Sequence, residues 1–156
     1  SVEARTLLAA ALGASGRIVD AEATFRTLEA TTSGVELAHA LAEHAMLRLL
    51  QCADPIGALE RLEWGRERCG PEGEDLVRST LATIQFFAGR IRDAIATASP
   101  LLDDGHRFPP DAGPALASSW AVIGDPDGVL RTWCRTWDGI RRSSADHSSI
   151  VGLNLV

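Results

Sequence analysis

The sequence predicts an all-α protein built of antiparallel helical hairpins, and three observations support this prediction. Apolar residues recur at spacings of three and four through most of the 156 residues, and no segment shows convincing strand character. Residues that start and stop helices interrupt the chain at short intervals. The apolar pattern also repeats every 35 to 37 residues, which is typical of stacked helical repeats.

The second helices of the hairpins share a register. Each has a small or slim residue, and the position four residues later lies one turn further along the same face. Successive slim positions are 37, 36 and 35 residues apart. The pairs are Ala21 with Phe25, Ala58 with Leu62, Ala94 with Ala98, and Val129 with Trp133.

The first helices repeat in step, with their own small position twelve residues earlier. A small side chain lets two helix backbones approach closely, and larger neighbours fill the adjacent grooves. No single hairpin buries its apolar faces alone, so neighbouring hairpins must stack. The small positions are Ala9, Met46, Ala82, Ala117 and Gly152. The predicted hairpins span roughly 3–31, 34–69, 73–103 and 111–143, and a half-repeat at 147–156 follows in what we read as a fragment of a longer protein.

Capping residues predict where these helices begin and end. Ser33 to Glu36 has the form of a capping box at the start of the second hairpin. Asp54-Pro55 and Asp125-Pro126 are each an N-cap followed by a proline in the first turn, where its missing N–H is not needed. Helix ends are predicted at Gly13, Gly89 and Gly124.

Composition narrows the function classes. The net charge is −6 and all 15 basic residues are arginine, so the chain has no basic face for phosphates and is not expected to bind nucleic acid directly. The absence of lysine suggests a GC-rich, actinobacterial genome. No apolar run of about 20 residues and no leader are present, which predicts no membrane association. Cys52, Cys69 and Cys134 lack metal-like spacing and are predicted to be reduced thiols in the cytoplasm.

The repeats resemble those of known families. Ala21 and Phe25, with the small position Ala9, resemble the tetratricopeptide consensus, which implies a right-handed superhelix, although Ala98 replaces the usual aromatic residue. The phrase Gly-Arg-Ile-x-Asp-Ala occurs at 16–21 and 89–94. With the loose spacing, it is similar to the repeat region of maltose-activator-like LuxR-type transcription regulators. That resemblance implies an ATPase module before the repeats and a DNA-binding module after them. Neither module is found in this chain, and a phosphate-binding Walker loop in particular needs a lysine, which the sequence lacks.

Several other clusters have a structural explanation. Glu36, His39 and Glu43 share a helix face, but no thiolates or second Glu-x-x-His motif accompany them, so no metal and no cofactor is predicted. Asp125 to Gly128 lacks the acidic spacing of a calcium loop. Tryptophan residues at helical spacing are more often core than ligand platform, so Trp120, Trp133 and Trp137 are predicted in the core and Trp64 at the surface. No catalytic array is found.

The binding surface is predicted on the first helices, which line the concave wall in repeats of this kind. Residues flanking each small position on its solvent side combine polar groups with apolar contact, as a ligand groove does. The alternative is an ordinary helix surface. The predicted groove residues are Glu43, Leu47, Gln51, Ser79, Thr83, Phe86 and Ser118.

These features predict a cytoplasmic, non-enzymatic regulatory domain. A protein or small-molecule inducer in the groove would signal to ATPase and DNA-binding modules outside the chain. Two alternatives remain: a constitutive scaffold for protein–protein interaction, and a helical accessory domain of a multidomain enzyme. The apolar half-repeat at 147–156 is also expected to dock into a neighbouring molecule and give a homodimer.

Overall fold

A computed structural model describes the backbone of residues 1–103 and 112–146, with side chains described for residues 1–102 and 112–141. Within these residues all regular structure is helical, which confirms the predicted all-α class. No helix among them is long and apolar enough to cross a membrane. The eight helices of the described residues are α1 (Val2–Ala14), α2 (Ile18–Thr31), α3 (Gly34–Cys52), α4 (Pro55–Arg66), α5 (Gly70–Phe87), α6 (Ile91–Asp103), α7 (Ala112–Ile123) and α8 (Pro126–Asp146).

The helices form four hairpins that stack in chain order. The two helices of each hairpin contact each other, and the odd-numbered helices contact one another as α1 with α3, α3 with α5 and α5 with α7. The helices α2, α4 and α6 are each covered in addition by the odd-numbered helix that follows. Each of the four predicted ranges holds two of these helices, with ends that differ by three residues or fewer. The predicted half-repeat at 147–156, with Gly152, lies outside the described residues.

Three apolar clusters fill the stack, one for each set of three successive helices. The first joins α1, α2 and α3, the second joins α3, α4 and α5, and the third joins α5, α6 and α7. The small positions Ala9, Ala82 and Ala117 are buried, and Met46 packs against the second cluster. Because each cluster draws on two hairpins, no hairpin has a core of its own. The second helices contribute the fully buried residues Ala21, Phe25, Ala58, Leu62, Ala94 and Ala98.

The four hairpin turns each contain one residue with a positive φ. Glycine occupies this place in three turns, with φ of 82° at Gly16, 74° at Gly89 and 78° at Gly124. The second turn has Ala53 there instead, with φ of 50°. The N–H of Asp54 after this turn donates to the carbonyl of Arg48 at 3.0 Å, which completes the helix end.

The repeated Gly-Arg-Ile-x-Asp-Ala phrase forms the first and third of these turns. After the positive-φ glycine, Arg17 Nε donates to Asp20 Oδ2 at 2.8 Å, and Arg90 Nε donates to Asp93 Oδ2 at 2.7 Å. The alanine that ends each phrase is fully buried against the first helix of its hairpin. The phrase therefore has a local structural role in both places.

Two predicted helix ends differ from the structure, and two N-caps are confirmed. The side chain of Ser33 makes no capping hydrogen bond, although Ser33 is the N-cap residue of α3. Gly13 lies buried inside α1 against Leu47, where the close approach leaves no room for a side chain, and the turn comes three residues later. Asp54 and Asp125 act as predicted, since each Oδ1 accepts from the N–H three residues on at 2.9 Å.

The prediction that Trp133 and Trp137 lie in the core is wrong, because 49% and 59% of their surfaces are exposed. The helix α8 turns a face of small residues towards α7, with Thr132 and Thr136 buried. Each of these hydroxyls donates to a carbonyl four residues earlier at 2.8 Å. The even-numbered helices before it are covered by the next odd-numbered helix, and no described helix follows α8 to do the same. Trp120 does pack against the third cluster, as predicted.

Candidate binding surface

The predicted groove residues fall into two groups by exposure. Glu43 and Gln51 on α3 are exposed, whereas Thr83 and Phe86 on α5 and Ser118 on α7 are half-buried. All five lie on odd-numbered helices, which contact one another in a row. They are therefore accessible from one side of the stack, and their role in binding stays a prediction.

Leu47 and Ser79 do not belong to an accessible wall, which corrects the predicted groove. Leu47 is 6% exposed and lies in the first core cluster, where it packs against Gly13. Ser79 is 1% exposed on α5. Neighbouring odd-numbered helices pack closely enough to cover side chains on their flanks, and the repeat register alone does not show which flank is covered.

We call the exposed side of the odd-numbered helices the first-helix face. On α3 it carries Glu36, His39 and Glu43, all exposed, and on α5 the equivalent turns carry Glu72 and Asp75. Within the described residues none of the four carboxylates makes an ion pair, and no arginine stands at these register positions. The described residues also contain no group of three metal-ligating side chains in a metal-like arrangement. The four carboxylates of this face are therefore not neutralised by ion pairs with other described residues.

An apolar border, formed by Phe87, Val122 and Ile123, adjoins this face at the turn edge of the third and fourth hairpins. All three side chains are exposed, and the ring of Phe87 contacts that of Phe86 edge-on with centroids 5.4 Å apart. Beside Val122 and Ile123 lies an open cavity of about 310 Å³, which is also lined by residues 89–93. Sequence reasoning missed the border, although two apolar pairs near helix-ending glycines were visible signals: Phe86-Phe87, separated from Gly89 by one alanine, and Val122-Ile123, directly before Gly124.

The register shows that this apolar border is particular to the last two hairpins. The positions equivalent to Phe87 and Val122 are Ala14 in the first hairpin and Gln51 in the second. A residue required by the packing of every hairpin would recur in all of them and would be buried. An exposed apolar residue in only part of a repeat array is instead a candidate contact for a partner.

A buried histidine, His44, lies where α3 packs against α2, and sequence reasoning also missed it. His44 is completely buried, and its ring stacks on Phe25 with centroids 5.1 Å apart and planes 10° from parallel. Its Nδ1 is 2.7 Å from Glu29 Oε1 and its Nε2 is 3.2 Å from Glu22 Oε1. The available signal was position, since His44 stands four residues after Ala40 on the buried side of α3.

Arginine residues extend this cluster to α4 and to the second turn. Arg48 Nη2 is 2.7 Å from Asp54 Oδ2, and Arg61 Nη2 is 2.8 Å from Glu29 Oε2. Burial raises the pKa of Glu22, but the hydrogen bond and charge of His44, with Arg48 and Arg26, outweigh it and leave the pKa below 4.5. The hydrogen bond from Arg48, with that from the Gly57 N–H, lowers the pKa of Asp54. These pairs fix three helices together, and the buried ring is closed to any substrate.

Trp64 is exposed at the surface of α4, which confirms its predicted position. The guanidinium carbon of Arg61 lies 5.2 Å from the ring centroid and that of Arg68 lies 4.5 Å from it. The three cysteines are free in the structure. Cys69 is buried and donates to the Gly65 carbonyl at 3.3 Å, and burial raises the pKa of its thiol, opposed by Arg68. Such a thiol is held as a poor nucleophile.

No protein-family model, no curated protein and no solved structure matches this chain. The proposed function consequently depends on the chemistry of the first-helix face and the apolar border, and on the contacts that join α2, α3 and α4.

Proposed function

We propose that this chain is a partner-binding repeat domain, a right-handed superhelix of tetratricopeptide type that receives a protein segment or inducer on its first-helix face. The observation that carries the proposal is the combination of an unneutralised acidic surface on α3 and α5 with an exposed apolar border on α5 and α7. Specific protein recognition uses apolar anchors beside polar groups that set orientation and charge.

The chemistry of the surface favours a positively charged partner segment with an apolar anchor. Glu36, Glu43, Glu72 and Asp75 attract a basic segment, and the exposed side chains of Phe87 and Val122 offer apolar contact. Nucleic acid is disfavoured, because phosphates are repelled by the same carboxylates. No catalytic step is proposed.

The biological setting we propose is a bacterial transcription regulator of the LuxR type. Partner binding would alter the superhelix and be passed to ATPase and DNA-binding modules elsewhere in the protein. The support is the degenerate repeat spacing together with the twice-repeated turn phrase. The flanking coding sequence tests it: a Walker lysine upstream and a helix-turn-helix downstream are expected, and the absence of both would overturn the regulator assignment.

A constitutive protein-binding scaffold is the second candidate, and the buried cluster around His44 favours it. A network that ties α2, α3 and α4 together makes the second hairpin a rigid wall, which suits a preformed groove more than one that changes shape. A regulator predicts that hydrogen-exchange protection changes beyond the contact site when partner binds, and a scaffold predicts a change at the contact site alone.

The binding surface is tested by affinity capture with two triple variants. The groove variant combines Glu43→Arg, Gln51→Ala and Phe87→Ser, and the control on the even-numbered helices combines Glu63→Arg, Thr27→Ala and Val19→Ser. All six positions are exposed, so both variants should melt within about 4 °C of the wild type. The wild type and the control are expected to retain the same bacterial protein, and the groove variant to lose it. Equal retention by the groove variant would rule out this surface.

A further inference from the structure

The turn phrase that occurs twice in this chain has the same local structure in both places but exposes different chemistry. In Gly-Arg-Ile-x-Asp-Ala, at 16–21 and at 89–94, the aspartate accepts from the arginine, so the guanidinium of that arginine is already engaged. The variable position is Val19 in the first turn and Arg92 in the third, and both side chains are exposed. Arg92 makes no ion pair with any other described residue. The turn therefore forms without a contribution from Arg92.

The open cavity of about 310 Å³ lies where this third turn faces the end of α7. Residues 89–93 form one side of the cavity, and the exposed side chains of Val122 and Ile123 form the other. At the register positions of these two residues, the end of α3, which follows the first copy of the phrase, has Gln51 and Cys52. Hairpin packing therefore requires neither the arginine nor the apolar pair at this junction.

The lining of the cavity combines one unbalanced positive charge with apolar surface. Of its three charged side chains, Arg90 and Asp93 form a pair at 2.7 Å, which leaves the charge of Arg92 without a partner. Three aliphatic side chains of the lining supply the apolar surface. A guanidinium binds a carboxylate through two parallel N–H donors, and hydrogen bonds of this charge-assisted kind are the stronger ones. The volume lies at the lower end of the range of small-molecule sites, about 300–1,000 Å³.

We propose that this cavity binds a small amphiphilic carboxylate, with its carboxylate group on Arg92 and its apolar body against Val122 and Ile123. Because the third hairpin lines one side of the cavity and the fourth hairpin the other, a bound ligand contacts both and stabilises their stacked arrangement. The proposal goes beyond partner binding on the first-helix face, since neither Glu43 nor the other carboxylates of that face line the cavity.

Octanoate is a suitable probe, because it has one carboxylate on a chain of apolar carbons. In an NMR titration of the amide signals of the full 156-residue chain, octanoate should bind saturably with a dissociation constant of about 1 mM or lower. The shifted amides should centre on residues 89–93 and 121–124. Acetate lacks the apolar body and 1,2-octanediol lacks the charge, so each should bind at least tenfold more weakly.

The two copies of the phrase supply matched variants. Arg92→Val gives the third turn the side chain of the first, and it should weaken octanoate binding at least tenfold because it removes the unbalanced charge. Val19→Arg makes the opposite change at an exposed position of the first turn and should bind octanoate as the wild type does. Val122→Gln gives the end of α7 the side chain found at the end of α3, and it should also weaken binding because it removes part of the apolar wall.

Circular dichroism checks that the variants fold, and all three should melt within about 4 °C of the wild type because the changed positions are exposed. Shifts that do not saturate, or equally tight binding by Arg92→Val, would overturn the proposal. Equally tight binding of the diol would show an adventitious apolar contact only, and shifts centred elsewhere would refute this site. Partner capture by the first-helix face succeeds or fails independently of these results.

Discussion

His44 shows how much one residue position depends on its surroundings. Its two ring nitrogens face two carboxylates, with Nδ1 2.7 Å from Glu29 and Nε2 3.2 Å from Glu22. Glu29, the nearer partner, is 1% exposed and also has Arg61 beside it. A buried polar contact of this kind adds little compared with an apolar core, but removal of the ring takes the nearest hydrogen-bond partner from the buried Glu29 carboxylate and leaves it with Arg61 alone.

Replacement of the buried histidine should therefore be costly. His44→Ala is expected to lower the free energy of unfolding by about 3 kcal/mol, because Glu29 loses its nearest partner and the ring no longer packs on Phe25. His39→Ala is the matched control, since it removes an exposed histidine from the same helix and should cost less than about 0.5 kcal/mol. Urea unfolding monitored by circular dichroism measures both. Equal effects of the two substitutions would show that the buried contacts contribute nothing.

The acidic partners predict a loss of stability in acid. The pKa values of Glu22, Asp54 and Glu74 are lowered in the folded protein, so folding is favoured by their ionised forms. This contribution is present above the unfolded pKa values, about 4.5 for the two glutamates and 3.8 for Asp54, and is lost as pH falls below them towards the folded values. Urea midpoints should fall more steeply with pH below about 4.5 in the wild type than in Glu22→Gln. Glu63→Gln, at an exposed position, should keep the wild-type slope; if it flattens the slope as much, Glu22 has no special role.

At the scale of the element, the hairpin turns are the most regular feature of the chain. Each turn needs one residue in the left-handed region, where a Cβ atom is strained and glycine is not. Three turns have glycine, whereas the second has Ala53 with φ of 50°. The rest of that turn is well tied, through the N-cap of Asp54 and its pair with Arg48. Strain at Ala53 is therefore tolerated by a strong neighbouring contact.

Because of this difference, substitutions in the two turns should change the free energy of unfolding in opposite directions. Ala53→Gly should raise the free energy of unfolding by up to about 1 kcal/mol, since it removes backbone strain at a positive φ. Gly89→Ala should lower it by about 1 kcal/mol, because an added Cβ atom there meets no neighbour within 4 Å and only the backbone conformation opposes it. Thermal and urea unfolding measure both variants. A destabilised Ala53→Gly would mean that entropy of the unfolded chain outweighs the strain.

At the scale of the whole molecule, stability and charge are both distributed along the stack. Three clusters, each shared between successive hairpins, replace a single central core. The net charge of −6 is accompanied by an acidic first-helix face, while most arginine residues of α2 to α5 are engaged with carboxylates or with Trp64. The negative electrostatic potential around such a chain attracts basic partners and repels nucleic acid.

The charge distribution predicts that the isolated chain does not bind duplex DNA. A mobility-shift titration at physiological salt should show no complex at micromolar protein, because phosphate contacts supply most of the affinity in such complexes and only a minority of the arginines in the described residues lack a carboxylate partner. If the wild type shows weak binding, the variant Glu36→Gln/Glu43→Gln tests whether repulsion between the first-helix face and the DNA phosphates limits the affinity. A sharp, sequence-dependent shift of the wild type would contradict the prediction.

The helices, most of their ends and their repeat register could be predicted from the sequence. These depend on local chemistry: apolar spacing sets the buried stripe, an aspartate before a proline caps a helix, and glycines such as Gly89 and Gly124 accept the positive φ that a helix end requires. The small positions Ala9, Ala82 and Ala117 are buried, and Met46 packs against the second cluster, because the register places them where two helices cross.

Which of the equivalent residues are covered depends instead on how the helices pack in three dimensions. Trp133 repeats the position of the buried Phe25 but is exposed, because burial depends on the helix that packs against a face and not on the face itself. Leu47 and Ser79 occupy predicted groove positions but are buried. His44, whose contacts no sequence pattern indicates, lies between two glutamates of another helix. Contacts between residues distant in sequence depend on the separation of whole helices, and a one-dimensional pattern does not contain that distance.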